Sequence, residues 1–439
     1  MSLLDVDREL TRNSYYAATA ARAAGYPALD ANLDCDVAVV GGGLAGLSAA
    51  IELADRGYSV VLLEAQQVGW GASGRNGGQV IAGLACDQAT IEAQLGTAEA
   101  RRIWDMTLEA LRLIGERRER FAIDCDWQAG FLGLATSPRK ARDLAQWQAH
   151  MQEAYGYETR AIGAADVGDW IASPRYHGGY HDPLGGHLHP LKYSLGLARA
   201  AAQLGVRIHE GTAVTALQPL PPGRSVRLAT ARGSVRASHV LLAGNVYLDG
   251  LAPALVGRIM PVGTYIVASE PLAPGLAGSL VPSMSAVCDT NFVLDYFRPT
   301  LDHRMLYGGR VSYSTATPLN LAAGMQRRMA GTFPQLRDAK VEYAWGGFVD
   351  ISMNRAPDFG RLGKPGQACE NVYYLQGFSG HGLALTGLAG RLVAEAIAGD
   401  AERFDTFARI RHRPFPGGRL LRMPALVAGM AYYRLRDLL

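Results

Sequence analysis

Gly41, Gly43 and Gly46 stand in G-x-G-x-x-G spacing inside "VVGGGLAGLSAA", and Glu64 follows 18 residues after Gly46. Each position has its own physical use. Gly41 permits a tight turn, Gly43 removes a Cβ so that backbone can approach a pyrophosphate, and Gly46 lets a helix pack close to a strand. A helix opening through Leu44 and Ala45 turns free N–H groups and the positive end of its dipole toward phosphates. Glu64, next to Ala65, can accept hydrogen bonds from ribose hydroxyls, and its charge disfavours a 2′-phosphate. That chemistry is dinucleotide binding.

Two more clusters follow. "GWGASGRNGGQV", residues 69–80, holds five Gly among Ser73, Arg75, Asn76 and Gln79. Gly74, Gly77 and Gly78 there would let backbone N–H groups face a pyrophosphate or a ring edge. "QGFSGHGLALTGLAGRLVAE", residues 376–395, places Gly377, Ser379, Gly380, His381 and Gly382 just before a small-residue helix. A strand-turn, "VLLAGNVY", brings in Gly244. A cofactor met by several distant segments fits FAD better than the shorter NAD.

The elements that must hold these residues are legible. "DVAVV" and "YSVVLLEA" read as buried parallel strands on either side of a helix that stops at Gly57, one β-α-β unit. Residues from 88 to 160 are largely amphipathic helix. "MPVGTYIVASEPL", "FVLDYFRPT" and "RMLYGGRVSYS" alternate as strands of an antiparallel sheet. The expected fold is mixed α/β, a Rossmann-like dinucleotide domain interrupted by an antiparallel-sheet substrate domain. The cofactor domain is expected over 34–95, 190–250 and 345–410, and the substrate domain over 96–189 and 251–344. Residues 1–33 would form an N-terminal extension and 411–439 a C-terminal helical tail. "HEGTAVTAL" reads as a short strand; the Val214 backbone there either meets an adenine edge or is structural.

Composition excludes other classes. The 439 residues are 49% hydrophobic, enough for two or three structural domains. A net charge of +3 gives no broad basic field, so nucleic acid is not an expected partner. Cys35, Cys86, Cys125, Cys288 and Cys369 are scattered, with no zinc spacing. They read as reduced thiols of a cytoplasmic protein, and no metal is expected. The N-terminus lacks a secretory pattern, and no apolar run of about 18 residues is present to span a membrane. "MPALVAGMAYYRLRDLL" reads as a docked terminal helix. The oligomeric state is not legible.

The first fingerprint, "GASGRNGGQV", "GGHLHPLKYSLGLARAA" and "QGFSGHGLALTGLAGRLVAE" resemble the glycine, sarcosine and D-amino acid oxidase superfamily of FAD enzymes. "SYYAA", "SGRNGGQ", "LAGNVYL", "MLYGGR", "FGRL", "GDAERFD" and "PFPGGR" resemble the gamma-glutamylputrescine oxidases within it, nearly end to end. The resemblance implies oxidation of a C–N bond by FAD, with oxygen as acceptor, hydrogen peroxide as product, and an imine that hydrolyses to an aldehyde. An amine such as gamma-glutamylputrescine is the implied substrate. The sarcosine oxidases carry a carboxylate-binding Lys where this chain has Ala384, and they attach flavin through a Cys. No Cys adjoins the "GFSGHG" stretch in sequence, so noncovalent FAD is expected.

The resemblance also puts Arg75 beside the flavin, where a positive charge would stabilise the reduced ring. The alternative is a surface turn with a solvated Arg. His381 would line the flavin face or be structural, and Ser379, Gly380 and Gly382 would offer backbone donors. Trp345 and Tyr265 are candidate aromatic walls or simply sheet core. Asp295, Asp350 and Glu270 could attract a cationic amine, and Arg310 could meet a carboxylate. No general base is nominated, because hydride can leave a neutral amine directly. The readings left open are an oxidase of pipecolate, proline or sarcosine, a quinone-linked dehydrogenase, and a flavin-binding protein without turnover.

Overall fold

The computed structural model describes residues 3, 4, 7, 13–220, 225–291, 293–312 and 320–416, without the side chains of 249 and 310–312. The expected C-terminal tail lies mostly outside the described residues, as do the Arg310 side chain and residues 1, 2, 5, 6 and 8–12 of the N-terminal extension.

The chain runs β1 (Asn32–Val40), α1 (Leu44–Asp55), β2 (Val60–Leu63), β3 (Gln79–Val80), α2 (Thr97–Arg120), β4 (Gln128–Leu134), α3 (Pro138–Tyr155), β5 (Arg160–Ile162) and β6 (Gly179–His187). It continues with α4 (Pro190–Gln203), β7 (Arg207–His209), β8 (Ala216–Leu220), β9 (Ser225–Ala229), β10 (Ser234–Leu242), β11 (Ile259–Ser269), β12 (Ala286–Asp289), β13 (Tyr296–Pro299) and β14 (Met305–Ser312). Then come α5 (Leu321–Thr332), β15 (Val341–Ser352), β16 (Asp358–Arg361), β17 (Val372–Gln376) and α6 (Gly382–Ile397), with a short helix Glu402–Ala408 after it.

Two sheets organise these elements. The first has the order β16-β17-β10-β1-β2-β7, and β8 and β9 extend it from β10. Its centre, β17-β10-β1-β2-β7, is parallel. All four residues of β2 are buried, as parallel strands covered on both faces must be. Helices α1 and α6 pack face to face through small residues. A Cβ on Gly390 would lie 2.5 Å from the Ala49 nitrogen, and Ser48 Oγ donates to Gly387 O at 2.6 Å.

The second sheet has the order β15-β11-β14-β13-β12-β4-β6-β3, with β5 on β6. It is antiparallel except for the parallel pair β12–β4. The domain boundary expected at 345 falls inside β15, whose whole length pairs with β11 in this sheet. Strand β3, expected in the cofactor domain, pairs with β6. The glycine-rich stretch of residues 69–80 therefore leads out of the first sheet and ends as the edge of the second. Val214 also departs from expectation: it lies half-buried in the coil between β7 and β8.

Candidate active site

The first fingerprint folds as its spacing requires. Gly41 has φ +113°, and a Cβ on it would lie 2.7 Å from Ala243 O, so the β1 and β10 ends meet here beside Gly244. A Cβ on Gly46 would lie 2.0 Å from Gly41 O. That contact lets α1 start directly off β1. The Ser73 hydroxyl accepts from Leu44 N at 2.9 Å, in the first turn of α1, and would sit 2.7 Å from a Cβ on Gly43. It keeps its own proton for an anionic neighbour. Glu64 ends β2 with Oε2 accepting from Gly42 N at 2.7 Å and Oε1 from Gln66 N at 2.8 Å. Burial pushes its carboxyl up, against the pull of those amides.

The loop of residues 69–80 is braced from within and behind. Asn76 Nδ2 donates to Ala72 O and Ser73 O, and its Oδ1 accepts from Gly78 N at 2.8 Å. Gln79 Nε2 donates to Val287 O at 2.8 Å, and Cys288 Sγ donates to Gln79 Oε1. Both amides are thus spent on protein. A Cβ on Gly78 would lie 2.2 Å from Leu188 O, and one on Gly77 2.8 Å from the Tyr296 ring. Ala72, Ser73 and Gly74 form one short 3-10 turn.

Arg75 does not supply the open positive charge expected of it. It is buried, and Asp7 takes both guanidinium nitrogens, NH1–Oδ1 at 2.9 Å and NH2–Oδ2 at 2.5 Å. NH1 also donates to Gly346 O at 3.0 Å, and the guanidinium lies 4.9 Å over the Trp70 ring. Arg298 on β13 is a buried cation behind this loop with no carboxylate partner among the described residues. Its Nε donates to Gly77 O at 2.9 Å and NH2 to Tyr16 OH at 3.1 Å, with NH1 3.3 Å from His187 Nδ1. Sequence reading passed over it because one Arg in an alternating strand carries no signal.

Trp345 and Tyr265 cannot line one pocket. Trp345 pairs with Ile266 and Tyr265 with Gly346, so their side chains leave opposite faces of the sheet. Each is 1% exposed, in separate core clusters. Trp345 Nε1 donates to Arg75 O at 3.0 Å, which makes it a brace of the loop.

The loop before α6 is equally committed. Asp350 Oδ2 accepts from Gly377 N at 2.5 Å and Phe378 N at 3.0 Å, and Ser379 N donates to Asp350 O. Ser379 N–H is therefore not an available donor, and its hydroxyl bonds Gly377 O. Burial pushes the Asp350 carboxyl up to about 6. Gly377 and Gly380 adopt φ +77° and +85°, and a Cβ on Gly382 would press the Phe378 ring at 3.3 Å. Asp295 is paired with Arg175 and Arg328, and Glu270 accepts from Lys340 N.

His381 precedes α6, and its Nε2 lies 3.0 Å from Ala82 O. Burial lowers its pKa, so the ring stays neutral. It borders a cavity of about 210 Å³ that reaches residues 81–88, Trp104, Trp147, Tyr157, Tyr180 and Asp182. No Lys or Arg is among the described residues lining it. Cys86 is, so a thiol absent from the local sequence arrives through space. Burial raises that thiol to about 11, which keeps it protonated and a poor nucleophile.

A family model described as FAD dependent oxidoreductase matches residues 36–396. The chain belongs to the FAD dependent oxidoreductase family. FAD is thus its cofactor, and the cradle fits. The glycines, α1 amides and Ser73 would hold the pyrophosphate, and Glu64 the ribose, where added Cβ atoms would collide. Relatives of this oxidoreductase include gamma-glutamylputrescine oxidoreductase of Escherichia coli (strain K12), 43% identical, covering 97% of this chain and 98% of that one. A probable oxidoreductase OrdL of Rhizobium meliloti is 35% identical over 97% of each. Among solved structures, glycine oxidase from Geobacillus kaustophilus superposes with a TM-score of 0.69 at 23% identity, over 83% of this chain and 95% of that one. It shares the fold.

Proposed function

We propose that this oxidoreductase oxidises a primary amine on a polymethylene chain, gamma-glutamylputrescine or a similar gamma-glutamylated polyamine. In that reaction the amine, oxygen and water become the aldehyde, ammonia and hydrogen peroxide. Bound FAD accepts the hydride from the carbon next to nitrogen. The observation that carries the reading is the charge of the cavity beside His381: Asp87 and Asp182 line it, and no described Lys or Arg does. Arg355, outside the lining, offsets Asp87, so it is at Asp182 that an entering α-carboxylate would meet a like charge with no described cation to offset it. An amine would meet carboxylates. Ala384, buried in the first turn of α6, likewise offers nothing to a carboxylate. A neutral His381 adds no charge to repel an arriving ammonium. The likeness to the Escherichia coli gamma-glutamylputrescine oxidoreductase supports the same substrate class.

Anaerobic titration of the yellow protein tests this. Gamma-glutamylputrescine is expected to bleach the flavin band and, once air is admitted, to yield peroxide. Sarcosine, proline and pipecolate are expected to leave the band unchanged. The reverse pattern sinks the proposal.

A further inference from the structure

The cavity beside His381 is walled by rings. Trp104 and Tyr157 meet edge to face with centroids 4.9 Å apart, and Trp147 and Tyr180 lie 5.0 Å apart at 33°. These four side chains come from α2, the coil before β5, α3 and β6, so only the tertiary fold assembles them. Asp182 lies among them, 2% exposed. Its Oδ2 accepts from Tyr157 OH at 2.5 Å and its Oδ1 from Leu184 N at 2.9 Å. No cation among the described residues pairs with it. Burying a carboxylate without a counter-ion is costly, and proteins otherwise pair such groups.

We propose that Asp182 and this ring of aromatics form the subsite for the substrate's ammonium group, with the polymethylene chain lying against the rings. The inference rests on the reading of the enzyme as an amine oxidase. A carboxylate supplies the counter-charge, and ring faces attract a cation while tolerating the apolar stem. Burial and the charge of Asp182 hold the Tyr157 hydroxyl protonated, so it donates to the carboxylate. Both carboxylate oxygens retain lone pairs beyond these bonds. The buried indole N–H of Trp104 has no acceptor among the described residues.

The probe is butyltrimethylammonium, a cation with an alkyl stem and no N–H to lose, titrated into the FAD-loaded enzyme and followed by the flavin difference spectrum. Wild type is expected to bind it, and Asp182→Asn to weaken binding tenfold or more while keeping the acceptor oxygen for Tyr157. Asp182→Glu is expected to recover part of the affinity. Neutral pentanol is expected to bind both enzymes equally. Should Asp182→Asn fail to fold with FAD, Trp147→Leu replaces it, with a loss of several-fold expected. Equal affinity for the cation in wild type and variant overturns the subsite. A cation that binds through Asp182 while gamma-glutamylputrescine leaves the flavin oxidised overturns the substrate reading and keeps the subsite.

Discussion

Arg75 and Asp7 form a two-pronged ion pair, 2.9 Å and 2.5 Å, with both side chains buried. Tyr247 OH also donates to Asp7, so the carboxylate is shared. The pair ties the N-terminal segment to the glycine-rich loop. Removing one partner leaves a buried charge uncompensated, which costs about 3–5 kcal/mol. Asp7→Asn is expected to lower the free energy of unfolding by that order in denaturant melts. The Arg75 charge that Asp7 cancels in the wild type is then uncovered, so the flavin potential is expected to move upward and never downward. A downward potential shift, or unchanged stability, contradicts this account.

Gly46→Ala is expected to abolish FAD retention. The new Cβ would lie 2.0 Å from Gly41 O, which is backbone and cannot swing aside. Accommodating it must move α1 off β1 and with it the amides of the first turn. The ratio of flavin to protein absorbance after gel filtration measures the effect, and a yellow variant with normal loading counts against it.

Trp345→Phe separates a brace from a pocket wall. The indole N–H donates to Arg75 O in a buried site, and losing it leaves that carbonyl unpaired at about 1–3 kcal/mol. Lower stability in urea with kcat/KM for amines held within about twofold is expected. A selective rise in KM with normal stability would place Trp345 at the substrate instead.

His187 and His189 set an acid limit. Burial first, then the Arg298 charge, depress both to about 3. Imidazoles of the unfolded chain titrate near 6.5, so the unfolded state binds more protons below that pH. The stability held by keeping both rings neutral is complete above pH 6.5 and is lost as pH falls toward 3. Each group contributes a slope of up to about 1.4 kcal/mol per pH unit. His187→Gln is expected to lower the slope between pH 6 and 4 by about one proton. Arg298→Met is expected to lower it as well, since it removes the charge that opposes protonation. Unchanged slopes in both variants would count against the two histidines as the source.

Much of the cofactor site was legible because its determinants are local. The spacing of Gly41, Gly43 and Gly46, a strand before them and Glu64 after the next strand lie within one stretch of chain, and the folded cradle uses them together. The resemblance extended this to the family, which the match over residues 36–396 bears out. The polar side chains of the second loop were harder. Arg75, Asn76 and Gln79 are chemically able to meet a cofactor, yet Arg75 and Gln79 have partners far off in the chain and Asn76 spends its amide on Ala72, Ser73 and Gly78 within the loop. Trp345 and Tyr265 failed as a pair for a different reason: strand register, set by hydrogen bonding to β11 and β15, decides which face each one leaves.

The amino-acid sequence alone determined that a dinucleotide fits here, that the chain alternates between two sheets, and which family it joins, because glycine conformational freedom and hydrophobic periodicity act over a few residues. Tertiary structure decided which charges remain free. Asp7 neutralises Arg75 from 68 positions away, while Arg298 and Asp182 are buried with no described counter-ion. Electrostatic worth depends on distance and dielectric, and neither exists until the chain has folded.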